Sequence, residues 1–509
     1  MTRKQTIAVL FLVVGLYTVI LSTLAIGHYR SFFSYEFEDA ACYHQILWNA
    51  AHGRTLKPVA SFSECEHEGF FPSIWLLLPF YRIRPEPTTL IVLQTLVFGL
   101  GAVPVFLLSR RWTRRSWLQI FFTSLYLLQP LLHYQNLNYF RPAMLAPTLL
   151  LFIVYFFSNS RPLPLALTSL AVIGLRPEFA AILGMLGVGA LFSGQRRRWA
   201  VSLIVGSIVC YLLITQILMP HVYGFDYNAS RFARQFSIEI SMPDIADHGS
   251  FGGRIYNNLF HGDIGVWFRN CWGWQFLLFL ISPYSLLAAP GILGIVKLTE
   301  ETASIQNNEL HYLTSIFPFV FIGTIHGFSW LIRRPKRTLP STQSNNKFLI
   351  YGGCTFLSLG TLFQIVGDNI PGIVMAGRTP IEDDRFTDAR NLYDPVYTTL
   401  DDADRAAWKF IRRIPQDASV AATGDLLWAL SARRELYQFG YDREWLTDYV
   451  LINSRSLFIG AGTYCIIPPE QQAVLVQEYI ETGLYELVDV EEGFTFLRNK
   501  YADGTVDVQ

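Results

Sequence analysis

Residues 6–26, TIAVLFLVVGLYTVILSTLAI, decide how the rest of the chain is read. The run holds 21 uncharged, mostly apolar residues, about the length at which a helix crosses a bilayer core of ~30 Å. Arg3 and Lys4 stand before it, which places the N-terminus in the cytoplasm. A secretory signal peptide is the competing interpretation. The run is long for one, and no small-residue cleavage site follows before His28-Tyr29-Arg30.

Composition agrees with a membrane protein. Of the 509 residues 51% are hydrophobic and 16% charged, against about 25% charged in an ordinary soluble domain. The chain is too apolar for intrinsic disorder. Lys+Arg 40 balance Asp+Glu 40, so no overall basic field attracts nucleic acid. Six cysteines do not make a disulfide scaffold at this length.

A second run, 88–108, ends at Arg110, Arg111, Arg114 and Arg115 and therefore points into the cytoplasm. The segment 27–87 between the two runs is then a long external loop, with its apolar patch 70–81 lying as a helix on the membrane surface. Alternation follows through 117–132, 144–157, 163–175, 179–192 and 201–219. A polar external stretch, 221–263, precedes further runs at 267–281, 286–296, 312–331 and 348–366. About 11 transmembrane helices result, with every basic cluster on the cytoplasmic side. Residues 1–366 are expected to form an all-α polytopic membrane domain in the inner (cytoplasmic) membrane.

Beyond Asp368 charges are dense and no spanning run remains. Acids early and bases late predict a helix over 401–413; 418–422 and 449–452 read as short buried strands. A helix is expected over 468–482, stopped by Gly483. A hairpin is expected from 487–490 and 494–497, joined by Glu491-Glu492-Gly493. Residues 367–509 are thus expected to form a small extracytoplasmic α/β domain. No G-x-G-x-x-G or P-loop supports a nucleotide site.

The polar clusters fall on the external side. Glu36, Glu38 and Asp39 follow the first span; a carboxylate there can deprotonate an acceptor hydroxyl or hold a divalent cation. A solvated loop is the bland alternative. Glu64-Cys65-Glu66-His67-Glu68 offers oxygen and imidazole ligands to a divalent metal ion, although adjacent residues converge poorly on one ion. Cys42 and Cys65 share this loop and suit a disulfide in an oxidising compartment. Arg141 and Arg176 stand in two external turns, where guanidinium groups suit phosphate oxygens. Glu178 can simply neutralise Arg176. His311 and Tyr312 open a later span on the same side.

Taken together, these segments resemble a bacterial and archaeal membrane family, domain-of-unknown-function family 2079, whose members look like family-C (GT-C) glycosyltransferases. The resemblance rests on Asp39 with Gln45 and Trp48, His52-Gly53, His67 with Pro72, and Leu78-Pro79-Phe80-Tyr81. It continues in Phe140-Arg141-Pro142 with Ala146-Pro147, Arg176-Pro177-Glu178, His311-Tyr312 with Pro318, residues 414–422, and Leu430-Ser431-Ala432-Arg433-Arg434. The chain departs from the family by carrying Arg141 where histidine is usual.

The resemblance implies a glycosyltransferase that takes sugar from a polyprenyl-phosphate carrier on the extracytoplasmic side, the lipid tail lying between helices. Asp39 would be the general base with Glu38 as partner. Arg141 and Arg176 would face the phosphate, with Glu178, Gln45, His311 and Tyr312 completing the substrate site and His67 a metal ligand. A transporter or lipid flippase is the first alternative, with polar residues expected near the bilayer midplane. A non-catalytic membrane scaffold is the second.

Overall fold

A computed structural model describes residues 3–32, 37–54, 71–113, 115–192, 197–223, 274–287, 310–333, 344–366, 393, 395–439, 446–454 and 469–501. The decisive apolar run lies within one helix, α1 (Arg3–Arg30). Val14, Tyr17 and Leu21 turn into the protein, while Phe11, Leu12 and Val19 remain more than 60% exposed. A stripe of that kind suits lipid, and the helix satisfies its own backbone groups.

Among the described residues four helices are long and apolar enough to cross a membrane: Lys4–Arg30, Pro87–Trp112, Arg197–His221 and Ile316–Arg333. Shorter apolar helices occupy Pro142–Ser158, Pro162–Ile173, Phe179–Phe192 and Leu349–Leu362. Among the described residues prolines cut several of the expected runs. The expected span 117–132 divides at Pro130 into Ser116–Leu127 and Pro130–Asn138; Pro130 has no N–H and opens the second piece. The surface helix expected over 70–81 is instead a 3₁₀ turn, Pro72–Leu76, followed by a one-turn helix, Leu78–Tyr81. Pro79 cannot donate back to the preceding turn, so the pieces do not fuse. Of the expected span 267–281 only the end is described, as a 3₁₀ run Trp274–Ile281. The stretch 221–263 and the span 286–296 lie almost wholly outside the described residues.

The helices have two chemically different ends. At one, Ser329 and Arg333 both donate to the Trp112 carbonyl, and Arg111 Nη1 donates to the Ser158 carbonyl at 2.7 Å. At the other, Gln94 Nε2 donates to the Tyr139 carbonyl at 3.1 Å, and Ser73 N donates to the Gly174 carbonyl at 3.1 Å. The rings of Phe122 and Phe328 meet at 5.4 Å and those of Tyr126 and Phe317 at 6.0 Å. The helix Leu310–Arg333 therefore runs antiparallel to Ser116–Leu127, and its start lies at the Tyr139 end.

The C-terminal sheet has strands β1 (Val420–Ala422), β2 (Leu436–Gln438), β3 (Tyr449–Asn453), β4 (Tyr485–Glu491) and β5 (Phe494–Asn499) in the order β2-β1-β3-β5-β4. β1 is parallel to β2 and β3, while β5 is antiparallel to β3 and β4. The expected hairpin is β4–β5; Glu492 and Gly493 take φ 49° and 80° at its turn, the positive-φ pair that matches strand twist. The expected helix appears as Asp402–Arg413, capped reciprocally by Asp401 and Asp404. Pro469–Glu481 is the second. Strand β2 was not anticipated; three residues are too few for a periodicity.

This sheet domain docks on the end of α1. Trp408 Nε1 donates to the Arg30 carbonyl at 2.8 Å, and Ser31 Oγ to the Tyr397 carbonyl at 2.6 Å. The Tyr29 ring packs against Trp408 and Trp428 at 5.6 and 4.8 Å.

Candidate active site

The helix after α1, α2 (Phe37–Ala51), carries the first carboxylate cluster. From Ala40 to Ala50 it is buried on every face: Ala40, Ala41 and Cys42 are fully buried, and so are His44, Gln45 and Asn49. Its end is a left-handed glycine. Gly53 takes φ 70°, a conformation without penalty only where Cβ is missing, and Arg54 N returns to the Asn49 carbonyl at 2.9 Å. At that last turn the Trp48 and His52 rings lie with centroids 4.1 Å apart and planes tilted by 35°, and the Arg54 guanidinium lies 5.1 Å from the Trp48 ring.

Asp39, on the first turn of α2, forms an ion pair with Arg141. The partners are 102 residues apart. Arg141 Nη2 donates to Asp39 Oδ2; among the described residues Oδ1 accepts no hydrogen bond. The side chains are 9% exposed for Arg141 and 22% for Asp39, so the carboxylate is the partner that a ligand can reach. Arg141 is held from behind: its N–H donates to Gln94 Oε1 at 3.2 Å, and its guanidinium carbon lies 4.9 Å from the Tyr139 ring. Gln94 in turn donates to the Tyr139 carbonyl, so one buried amide fixes both sides of the turn that presents Arg141.

The Arg176–Glu178 turn reaches the same end through two contacts. Tyr43 of α2 packs edge-on to Phe71 at 5.1 Å. Two residues on, Ser73 Oγ donates to the Ala171 carbonyl at 2.6 Å and Ser73 N to the Gly174 carbonyl. Gly174 is required there, since a Cβ would stand 2.4 Å from Ser73 Oγ. Arg176 and Glu178 are partly buried, each with interactions of its own. His311 and Tyr312 open the helix Leu310–Arg333 at this end; their side chains, like that of Glu38, lie outside the described residues. So does His67. Among the described residues no three His, Cys, Asp or Glu side chains gather as a metal site.

Gln45 is wholly buried in α2. Its Nε2 donates to the carbonyls of Arg433 and Arg434 at 3.3 and 3.2 Å, tying α2 to the sheet domain. Beside it, His44 is wholly buried between Tyr81 Oη and Ser431 Oγ, 2.7 Å from each. Ser431 spends its proton on the Trp428 carbonyl at 2.6 Å. His44 Nδ1–H therefore donates to Ser431 Oγ, and Tyr81 donates to Nε2, which assigns the neutral tautomer. Burial without a counter-charge pushes the His44 pKa from 6.5 down to about 3. Sequence reasoning missed this bridge. His44 lies in the motif around Asp39, and Ser431 in the family-like stretch 430–434, but nothing local connects them. Cys42 is disulfide-bonded; Cys65 lies outside the described residues.

Residues 29–495 match the family described as "Predicted membrane protein (DUF2079)", and the chain belongs to that family. No curated protein matches. Among solved structures the chain is similar to ArnT from Cupriavidus metallidurans bound to undecaprenyl phosphate. That similarity has 11% identity and a TM-score of 0.47, covering 97% of this chain and 98% of that one. The same protein in the apo state gives 10% identity and a TM-score of 0.43, covering 94% and 97%.

Proposed function

We propose that this chain is a membrane glycosyltransferase that moves a sugar from a polyprenyl-phosphate carrier to an acceptor on the extracytoplasmic side. The observation that carries the reading is the Asp39–Arg141 pair: a carboxylate with one oxygen uncommitted among the described residues, oriented by a buried guanidinium at the polar end of apolar helices. Residues 1–366 form the membrane domain and 367–509 an extracytoplasmic one. The basic end faces the cytoplasm by the positive-inside rule, which puts Asp39 on the opposite side. The disulfide at Cys42 fits an oxidising compartment there.

In this reading Asp39 Oδ1 takes the acceptor hydroxyl proton as its oxygen attacks the anomeric carbon. The bond from that carbon to the phosphate oxygen breaks, and its electron pair stays on the phosphate. Arg141 and Arg176 stabilise the charge that develops there. Gln45 Oε1, buried with no hydrogen-bond partner among the described residues, is the acceptor that this reading assigns to a sugar hydroxyl once α2 and the sheet domain part. Glu38, Glu178, His311 and Tyr312 border the same end. His67 is assigned as a ligand of a divalent metal ion in this reading.

Mass spectrometry of lipids co-purifying with the wild type and with Asp39→Asn tests the proposal. A polyprenyl-phosphate sugar enriched on the variant supports a stalled donor complex and identifies the sugar. If neither form retains such a lipid while other small molecules or phospholipids bind, a transporter becomes the better reading.

A further inference from the structure

At the basic end, far from Asp39, the structure contains a pocket of about 340 Å³ lined by Trp112, Thr113, Arg115, Leu118, Ser329, Ile332, Arg333 and Ile350. That volume lies within the ~300–1,000 Å³ range of small-molecule sites. Its walls divide by chemistry. Trp112, Leu118, Ile332 and Ile350 are apolar, while Arg115 and Arg333 bring cationic forks. Arg333 Nη2 is held by the carbonyls of Trp112 and Arg111. Its other donors, and the whole Arg115 guanidinium, have no partner among the described residues.

No carboxylate is available to neutralise them from the lining segments. The chain has no Asp or Glu between Glu86 and Glu178, and none between Glu309 and Asp368. Every lining residue falls inside those two acid-free stretches. Both arginines are exposed and line one pocket, so an anion from outside can pair with both, and a planar fork suits phosphate oxygens best. Apolar walls beside the cations, at the ends of spanning helices, further suit a phosphate that carries acyl chains; basic pockets between helices bind such headgroups.

We propose that this pocket binds a phosphate group, the headgroup of an anionic phospholipid being the source that its apolar walls favour. The site is separate from the proposed transferase centre and does not depend on that reading. Native mass spectrometry of the full chain in detergent, supplied with phosphatidylglycerol or phosphatidylcholine, tests it, with millimolar inorganic phosphate as competitor. The wild type is expected to retain phosphatidylglycerol preferentially, and each of Arg115→Gln and Arg333→Gln to weaken retention about fivefold. Arg115→Lys should restore most of it. Arg333→Gln also breaks the bond to the Trp112 carbonyl, so Arg115→Gln, which breaks none, carries the test if the former fails to fold. Retention that inorganic phosphate does not displace assigns the lipid headgroup. Binding of inorganic phosphate without lipid preference assigns a free phosphate. Equal retention of both lipids by wild type and Arg115→Gln, with no effect of phosphate, overturns the site.

Discussion

His44 and Ser431, 387 residues apart, are joined by a 2.7 Å hydrogen bond in a wholly buried interface. With Gln45 on the carbonyls of Arg433 and Arg434, this bond makes the sheet domain part of the framework around α2. The sheet domain thereby helps to position the helix that carries Asp39.

The His44 bridge predicts a pH dependence of stability. The pKa falls from 6.5 to about 3 on folding, so between these values the unfolded chain binds more protons. The stabilisation is complete above about pH 6.5 and is lost as pH falls, by about 1.4 kcal/mol per pH unit. Thermal unfolding across this range should show a steeper acid loss for wild type than for His44→Phe. At neutral pH the variant should itself be less stable, by about 1–3 kcal/mol, because the Tyr81 and Ser431 hydroxyls lose their partner.

Removing either member of the Asp39–Arg141 pair should destabilise the fold, because the other charge is left partly buried. Arg141→Met is expected to cost about 2 kcal/mol or more, given the value of charged hydrogen bonds. A double-mutant cycle with Asp39→Asn should return a coupling of roughly 1–3 kcal/mol. Additive single effects would show that the two side chains do not meet.

Transfer activity, assayed with the donor identified from the bound lipid, should fall about 10²–10⁴-fold in Asp39→Asn. Arg141→Lys keeps a charge but loses the fork, so an intermediate loss is expected. An Asp39→Asn protein of wild-type rate would remove this carboxylate from the role of base.

Gly27→Ala probes the docking of the sheet domain without touching the site. The added Cβ would meet Thr398 Cγ2 at 2.6 Å and Cβ at 2.8 Å. Overpacking of this kind costs about 1–3 kcal/mol. Limited proteolysis should cut the variant faster in the C-terminal domain than the wild type, while Gly15→Ala, with open space around it, should behave as wild type.

Much of the architecture is legible in the chain because it depends on local pattern. The run 6–26 is long and apolar enough to be a span wherever it packs. Asp401 and Asp404 cap a helix through their own backbone. Glu492-Gly493 turns a hairpin because Gly493 takes positive φ without penalty and Glu492 is held there beside it. Proline effects were harder: Pro79 and Pro130 divide runs that hydropathy alone reads as continuous, since apolarity reports burial and not backbone hydrogen bonding.

The sequence by itself determined that the chain enters a membrane, that basic residues cluster at the ends of its apolar runs, and that a small α/β domain follows the helices. Only the tertiary structure decided that Asp39 meets Arg141 and that His44 meets Ser431. It also tied Gln45 to the sheet domain, and brought Arg115 and Arg333 to one pocket. The physical reason is separation: periodicity shows which side of an element is buried. Which side chain is found there depends on how helices far apart in the chain rotate and pack against one another.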